Sequence, residues 1–159
     1  MLITKTFEFS YAHILPNHNG KCRKLHGHNA VVEVTVGSLD LQPGGSSEGM
    51  VMDFGDLKNI VKNLVLDKWD HFFLAKGDEW VVEAARRWDE NKPTDTVGGW
   101  DVSYQIVNIG VRVTAENLAN LIFAKLEEPI LQMGKGNVYL HAIKFFETPN
   151  SWAEAKGDN

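Results

Sequence analysis

Residues 2–13, LITKTFEFSYAH, alternate with a period of two. Ile3, Phe7, Phe9, Tyr11 and His13 share one face of a strand, and Thr4, Thr6, Glu8 and Ser10 share the other. Lys5 interrupts the apolar side near its start. Residues 26–36, HGHNAVVEVTV, repeat the pattern, with His26, His28, Ala30, Val32, Val34 and Val36 on one face. Between the two lie Pro16, Asn17, Asn19 and Gly20, which read as loop.

Working outward, residues 37–49 are rich in Gly, Ser and Pro and read as a long hairpin connection to a third short strand, Met50 to Phe54, paired antiparallel with the second. Asp56 is read as the cap of a helix whose stripe is Leu57, Ile60, Val61, Leu64 and Val65, ending near Leu66 to Trp69. Trp80, Val81, Ala84, Ala85 and Trp88 fit a further amphipathic helix, and residues 91–99 an exposed loop. Residues 105–113 alternate again. Thr114 is read as the cap of a helix carrying Leu118, Leu121, Ile122 and Leu126, with Glu116 at its positive end. Residues 137–147 form the last strand, with Tyr139, His141, Ile143, Phe145 and Glu147 assigned to one face. Residues 1–150 thus read as one α+β domain with helices on one side of an antiparallel sheet, followed by a polar, frayed tail over 151–159.

The chain has 159 residues, 43% of them apolar, with 16 basic and 21 acidic side chains for a formal charge of −5. One cysteine excludes an internal disulfide. No apolar run approaches the roughly 20 residues of a membrane span, and residues 1–13 lack the pattern of a signal peptide. An acidic chain is a poor candidate for general nucleic-acid binding. The expectation is a reduced, cytoplasmic protein. The charge is unevenly spread: Phe9 to Val32 holds no Asp or Glu, but does hold Lys21, Arg23, Lys24, His13, His18, His26, His28 and Cys22.

His26 and His28 point the same way from one strand, with Gly27 between them to allow close approach of backbone or ligand. His13 ends the apolar face of the first strand as the pair begins that of the second. If the strands are antiparallel neighbours, three imidazoles meet at one end of the sheet. Three histidines with an open fourth position are the donor set of catalytic zinc. Alone, the His-x-His spacing also fits two ordinary strand histidines.

Cys22 sits in a polar loop beside three cations, which favour a thiolate able to act as base or nucleophile. Asp70-His71 fits either an oriented imidazole at a turn or a helix-terminal acid next to an unrelated histidine. Glu147 fits either an exposed strand end or a carboxylate that holds a guanidine-like N–H pair of a heterocycle.

FEFSYAH, C-RKL-HGHN, MDFGDLK, LDKWDHFFL, TAENLA and FFETPNS follow one another in an order that resembles the 6-pyruvoyltetrahydropterin and 6-carboxytetrahydropterin synthase family. The likeness covers nearly the whole chain outside residues 75–104 and the tail. The C-x3-H-G-H spacing is similar to that of the bacterial carboxy branch, while Val113 stands where many members carry proline.

The resemblance implies the tunnelling fold: a four-stranded antiparallel sheet with two helices on one side, assembled into barrels as trimers or hexamers with active sites between subunits. It implies Zn²⁺ on His13, His26 and His28, Cys22 as catalytic base, and Asp70 with His71 as an acid/base pair reaching a neighbouring subunit's site. It implies Glu147 as the pterin anchor, with Thr114 and Glu116 lining the pocket. The implied substrate is 7,8-dihydroneopterin triphosphate, and the implied products are 6-carboxy-5,6,7,8-tetrahydropterin, acetaldehyde and triphosphate, on the route to 7-deazaguanines and queuosine. Two alternatives stay open here: the pyruvoyl branch, which keeps the side chain, and a non-catalytic pterin- or zinc-binding paralogue. Residues 75–104, with Trp80, Trp88 and Trp100, read as a lid, an assembly contact or an elaborated loop.

Overall fold

The computed structural model describes residues 1–77, Glu83 and 106–157. The first alternating segment is strand β1 (Leu2–His13), with Phe7, Phe9, Tyr11 and His13 buried. It pairs antiparallel with β2 (His26–Ser38) along its whole length, from Leu2 opposite Gly37 to His13 opposite His26. Ala30, Val32, Val34 and Val36 of β2 are fully buried, so the two inner faces continue one another.

The second neighbour of β2 is not the segment 50–54, which forms no strand. Val51 and Met52 are both buried, which breaks the alternation, and Asp53 is extended as the cap of a helix. The neighbour is β5 (Val138–Thr148), antiparallel, with Val34 opposite Ile143 and Val32 opposite Phe145. On its far side lies β6 (Ser151–Lys156), so the tail read as frayed is an edge strand. Beside β1 runs β3 (Phe72–Ala75), and beyond it β4 (Ile106–Asn108), each parallel to its neighbour; β4 is all that forms a strand within residues 106–113. Among the described residues the sheet therefore has six strands rather than four, in the order β4-β3-β1-β2-β5-β6.

Helix α1 (Phe54–Val61) is capped by Asp53, whose carboxylate accepts from Gly55 N at 2.6 Å. Asp56 sits in the first turn instead, where it suits the helix dipole. The helix runs on through a π-helical stretch, Lys62–Leu66, and a closing turn, Asp67–Trp69. Helix α2 (Ala115–Met133) starts at Thr114, whose hydroxyl accepts from Asn117 N at 3.4 Å. Its buried stripe, Leu118, Ile122, Leu126 and Ile130, has a strict four-residue spacing, which keeps one face on the sheet. Leu57, Val61 and Trp69 join that stripe in a core with Phe9, Val34, Ile143 and Phe145.

A bulge in β5 decides which way the functional end of that strand points. Thr35 pairs with Ala142 but Val36 pairs with Leu140, leaving His141 over. Val138 and Leu140 therefore face the core before the bulge, and Ile143 and Phe145 after it. Tyr139 and His141 do not share the face of Glu147, against the sequence expectation. The expected helix over Trp80–Trp88 and most of the extended stretch 75–104, including Trp100, lie outside the described residues. Among the described residues no helix is long and apolar enough to cross a membrane.

Candidate active site

The β1–β2 register brings three histidines to one end of the sheet. His13 is directly opposite His26, and His28 is opposite Tyr11. Ring centroids are 4.4 Å apart for His13 and His26, 5.1 Å for His13 and His28, and 5.0 Å for His26 and His28. One nitrogen from each ring lies within 4.8 Å of the others, so the group could hold a metal ion. Gly27 makes this possible: a Cβ there would stand 2.8 Å from the Tyr11 carbonyl oxygen.

The hydrogen bonds fix which nitrogens face inward. His13 Nδ1 meets Val113 O at 2.8 Å and His26 Nδ1 meets Lys24 O at 2.7 Å. A carbonyl only accepts, so in each case Nδ1 carries the proton and the neutral ring leaves a lone pair on Nε2. Those two Nε2 atoms are 3.0 Å apart. Nε2 of His28 is buried with no hydrogen-bond partner. Two inward lone pairs beside an unpartnered third nitrogen are a donor set that a cation would complete. Burial pushes His13 down to about 4, helped by the charges of His26 and His28 and opposed by its bond to Val113. His28 is likewise lowered by burial, with Glu147 opposing and His26 adding. Neutral imidazole is the ligating form.

Glu147 stands beside the cluster because the bulge turns it inward. Its Oε1 is 3.5 Å from His28 Nε2 and 3.7 Å from His13 Nε2, and accepts from the Tyr11 hydroxyl at 3.4 Å. Burial, then the charge and hydrogen bond of Glu147, keep that phenol protonated far above its ordinary value. Glu147 also lines a neighbouring cavity of about 380 Å³ together with Cys22, Thr114 and Glu116. Cys22 is half-buried in a 3₁₀ turn, Lys21–Arg23, and its carbonyl accepts from Leu15 N at 2.9 Å, which ties the turn to the end of β1.

Seven of the nine residues singled out from the sequence thus converge through Glu147. Asp70 and His71 do not. They follow the closing turn of α1, at the side of β1, where Ser10 N donates to Asp70 Oδ1 at 2.9 Å and His71 N donates to Ser10 O at 2.7 Å. His71 has a φ of 65°, and this left-handed backbone lets adjacent side chains meet: His71 Nδ1 is 2.9 Å from Asp70 Oδ1. The ring is 80% exposed and is oriented outward. Asp70 lines a different cavity, of about 370 Å³, with Glu8, Ser10 and Asn29.

Sequence reasoning passed over Arg112, Ser151 and Trp152, which line the Cys22 cavity, and gave His18, which also lines it, no role. Ser151 and Trp152 were hidden in a tail without apolar alternation. Arg112 is signalled only by its place two residues before the Thr114 cap.

A family model described as 6-pyruvoyl tetrahydropterin synthase matches residues 2–158. A Haemophilus influenzae protein named 6-carboxy-5,6,7,8-tetrahydropterin synthase is 33% identical over 152 residues, covering 96% of each chain. A Synechocystis protein of the same name is 36% identical over 152 residues, covering 96% of this chain and 90% of its own. Among solved structures, an uncharacterized protein from Wolinella succinogenes superposes with a TM-score of 0.76 at 24% identity, over 99% of this chain and 98% of its own. The 6-pyruvoyl tetrahydropterin synthase of Caenorhabditis elegans gives 0.64 at 24% identity, over 99% and 96%. These likenesses show a common fold, which is the tunnelling fold expected from the motifs. With the match running from end to end, this chain belongs to the 6-pyruvoyl tetrahydropterin synthase family.

Proposed function

We propose that the chain is a cytoplasmic, zinc-dependent lyase. It converts 7,8-dihydroneopterin triphosphate and one water to 6-carboxy-5,6,7,8-tetrahydropterin, releasing acetaldehyde and triphosphate, in the biosynthesis of 7-deazaguanines and queuosine. The observation that carries this reading is the inward set of His13, His26 and His28 nitrogens, joined through Glu147 to the cavity that Cys22 lines. The full-length relatives named as carboxy-branch synthases support the choice of product.

His13, His26 and His28 would hold the zinc, which when bound would supply a Lewis acid to a substrate hydroxyl, much as it lowers the pKa of water from about 16 to about 7. Glu147 orients the ring by accepting its paired N–H groups, a charge-assisted and directional contact. Thr114 and Glu116 complete that wall. The Cys22 thiolate takes a proton from the side chain of the bound pterin. His71, oriented through Nδ1 by Asp70, presents Nε2 to return one. Asp70 and His71 lie apart from the Cys22 cavity of their own chain, which supports a homo-oligomer, a trimer or hexamer, in which they serve a neighbouring subunit.

Incubating zinc-loaded protein with 7,8-dihydroneopterin triphosphate and analysing the products by mass spectrometry tests the reading. Acetaldehyde and the 6-carboxy product are expected. No turnover at full zinc occupancy overturns it, and a pterin that keeps its three-carbon side chain moves the chain to the pyruvoyl branch.

A further inference from the structure

The basic residues that the sequence offers for a phosphate, Lys21, Arg23 and Lys24, are exposed and do not line the Cys22 cavity. Arg112 and His18 do. Both are held in place by local structure. Residues 15–18 form a turn closed by His18 N donating to Leu15 O at 3.1 Å, with Asn17 at a φ of 66°. Proline second and a left-handed asparagine third match a type II turn. The turn's own bond uses the Leu15 carbonyl, leaving that of Pro16 free, and Arg112 Nη2 donates to it at 2.9 Å. The Arg112 backbone is anchored as well, its carbonyl accepting from Asn117 Nδ2 at 2.9 Å. A guanidinium carries five N–H donors, and the bond to Pro16 is the one its side chain makes among the described residues. His18 Nδ1 accepts from Gly20 N at 2.9 Å, so the neutral ring keeps its proton on Nε2.

We propose that Arg112, with His18, is the anion subsite of this cavity and takes a phosphate group of the ligand whose ring Glu147 holds. The proposal rests on the pterin triphosphate reading above. Glu116 and Glu147 share the lining, so net field alone would not draw an anion there. What remains is directed donation: a planar guanidinium fork matches phosphate oxygens. Carboxylate and guanidinium, both in the lining of one cavity, thus read different groups of one ligand. A ligand entering in reverse sets phosphate against Glu147 and ring N–H groups against Arg112.

The test compares equilibrium binding of 7,8-dihydroneopterin triphosphate and unphosphorylated 7,8-dihydroneopterin to the zinc-loaded full chain, with Cys22→Ala to prevent turnover. The parent is expected to prefer the triphosphate at least about tenfold. Arg112→Ala should lose most of that preference while binding the unphosphorylated pterin as before, and Arg112→Lys should keep part of it. A preference that survives Arg112→Ala overturns the inference alone. Equal loss of both ligands in Arg112→Ala also overturns it, because Arg112 would then act by holding the turn. A parent that binds both equally overturns it and leaves pterin recognition standing. A parent that binds neither overturns the proposed function and this inference together.

Discussion

Nε2 of His13 stands 3.0 Å from Nε2 of His26, and with both Nδ1 protons committed to backbone carbonyls the neutral rings have none to place between them. A cation between the two nitrogens would supply the attraction that a shared proton cannot. Replacing His26 by alanine should leave less than about a tenth of the parent's zinc after dialysis, since two imidazoles do not make a zinc site. Elemental analysis decides it, and near-full occupancy removes His26 from the ligand set.

The metal-free protein should weaken in mild acid. His13 titrates near 6.5 when unfolded and at about 4 when folded. Above 6.5 both states are neutral, and stability is complete. As pH falls from 6.5 towards 4 only the unfolded chain takes up the proton, so stability is lost across that window, by about 3 kcal/mol from this ring. His28, also lowered, acts in the same direction. Denaturant midpoints of chelator-treated protein measured from pH 7 to 4 check the sign. A midpoint that holds or rises would contradict it.

Cys22→Ala and His71→Ala should each fold, keep zinc and lose roughly 100-fold or more in turnover, as loss of a proton-transfer group does. Mixed after gentle dissociation and reassembly, the two inactive proteins should recover roughly a quarter of parental activity, because random assembly pairs an intact Cys22 with a neighbour's intact His71 at that frequency. No recovery, from a mixture shown to have exchanged subunits, places both residues in one chain's site.

Gly27→Ala should cost about 1–3 kcal/mol of stability and weaken metal retention together. The added Cβ meets the backbone oxygen of Tyr11 at 2.8 Å, and backbone cannot step aside without spreading β1 from β2. Thermal unfolding with and without zinc measures both effects. An unchanged Tm would mean that the strands can part there.

Much of this site was legible in the sequence because it depends on strand parity. Alternation in β1 and β2 put His13, His26 and His28 on the buried face, and antiparallel pairing did the rest. Thr114 was legible because capping is local chemistry. The His141 bulge was not, since an extra residue in one strand leaves the alternation intact and changes only its phase. Nor was β6: its inward residues are Ala153 and Ala155, too small to mark an apolar face, beside an exposed Trp152. Asp53 and Asp56 are both plausible caps, and the extended backbone at Asp53 decides between them. The short parallel strands β3 and β4 are held by distant neighbours that no local window contains.

The carbonyl that fixes the tautomer of His13 comes from residue 113, and a carbonyl belongs to every amino acid. The valine here and the proline that the resemblance leads one to expect would therefore serve that task alike, since proline gives up its N–H and keeps its oxygen. Position 113 therefore acts twice, through a fully buried side chain in the core and through a main-chain oxygen at the histidine. The tautomer of His13, a fully buried histidine, is thus set by an oxygen of the main chain and not by any side chain.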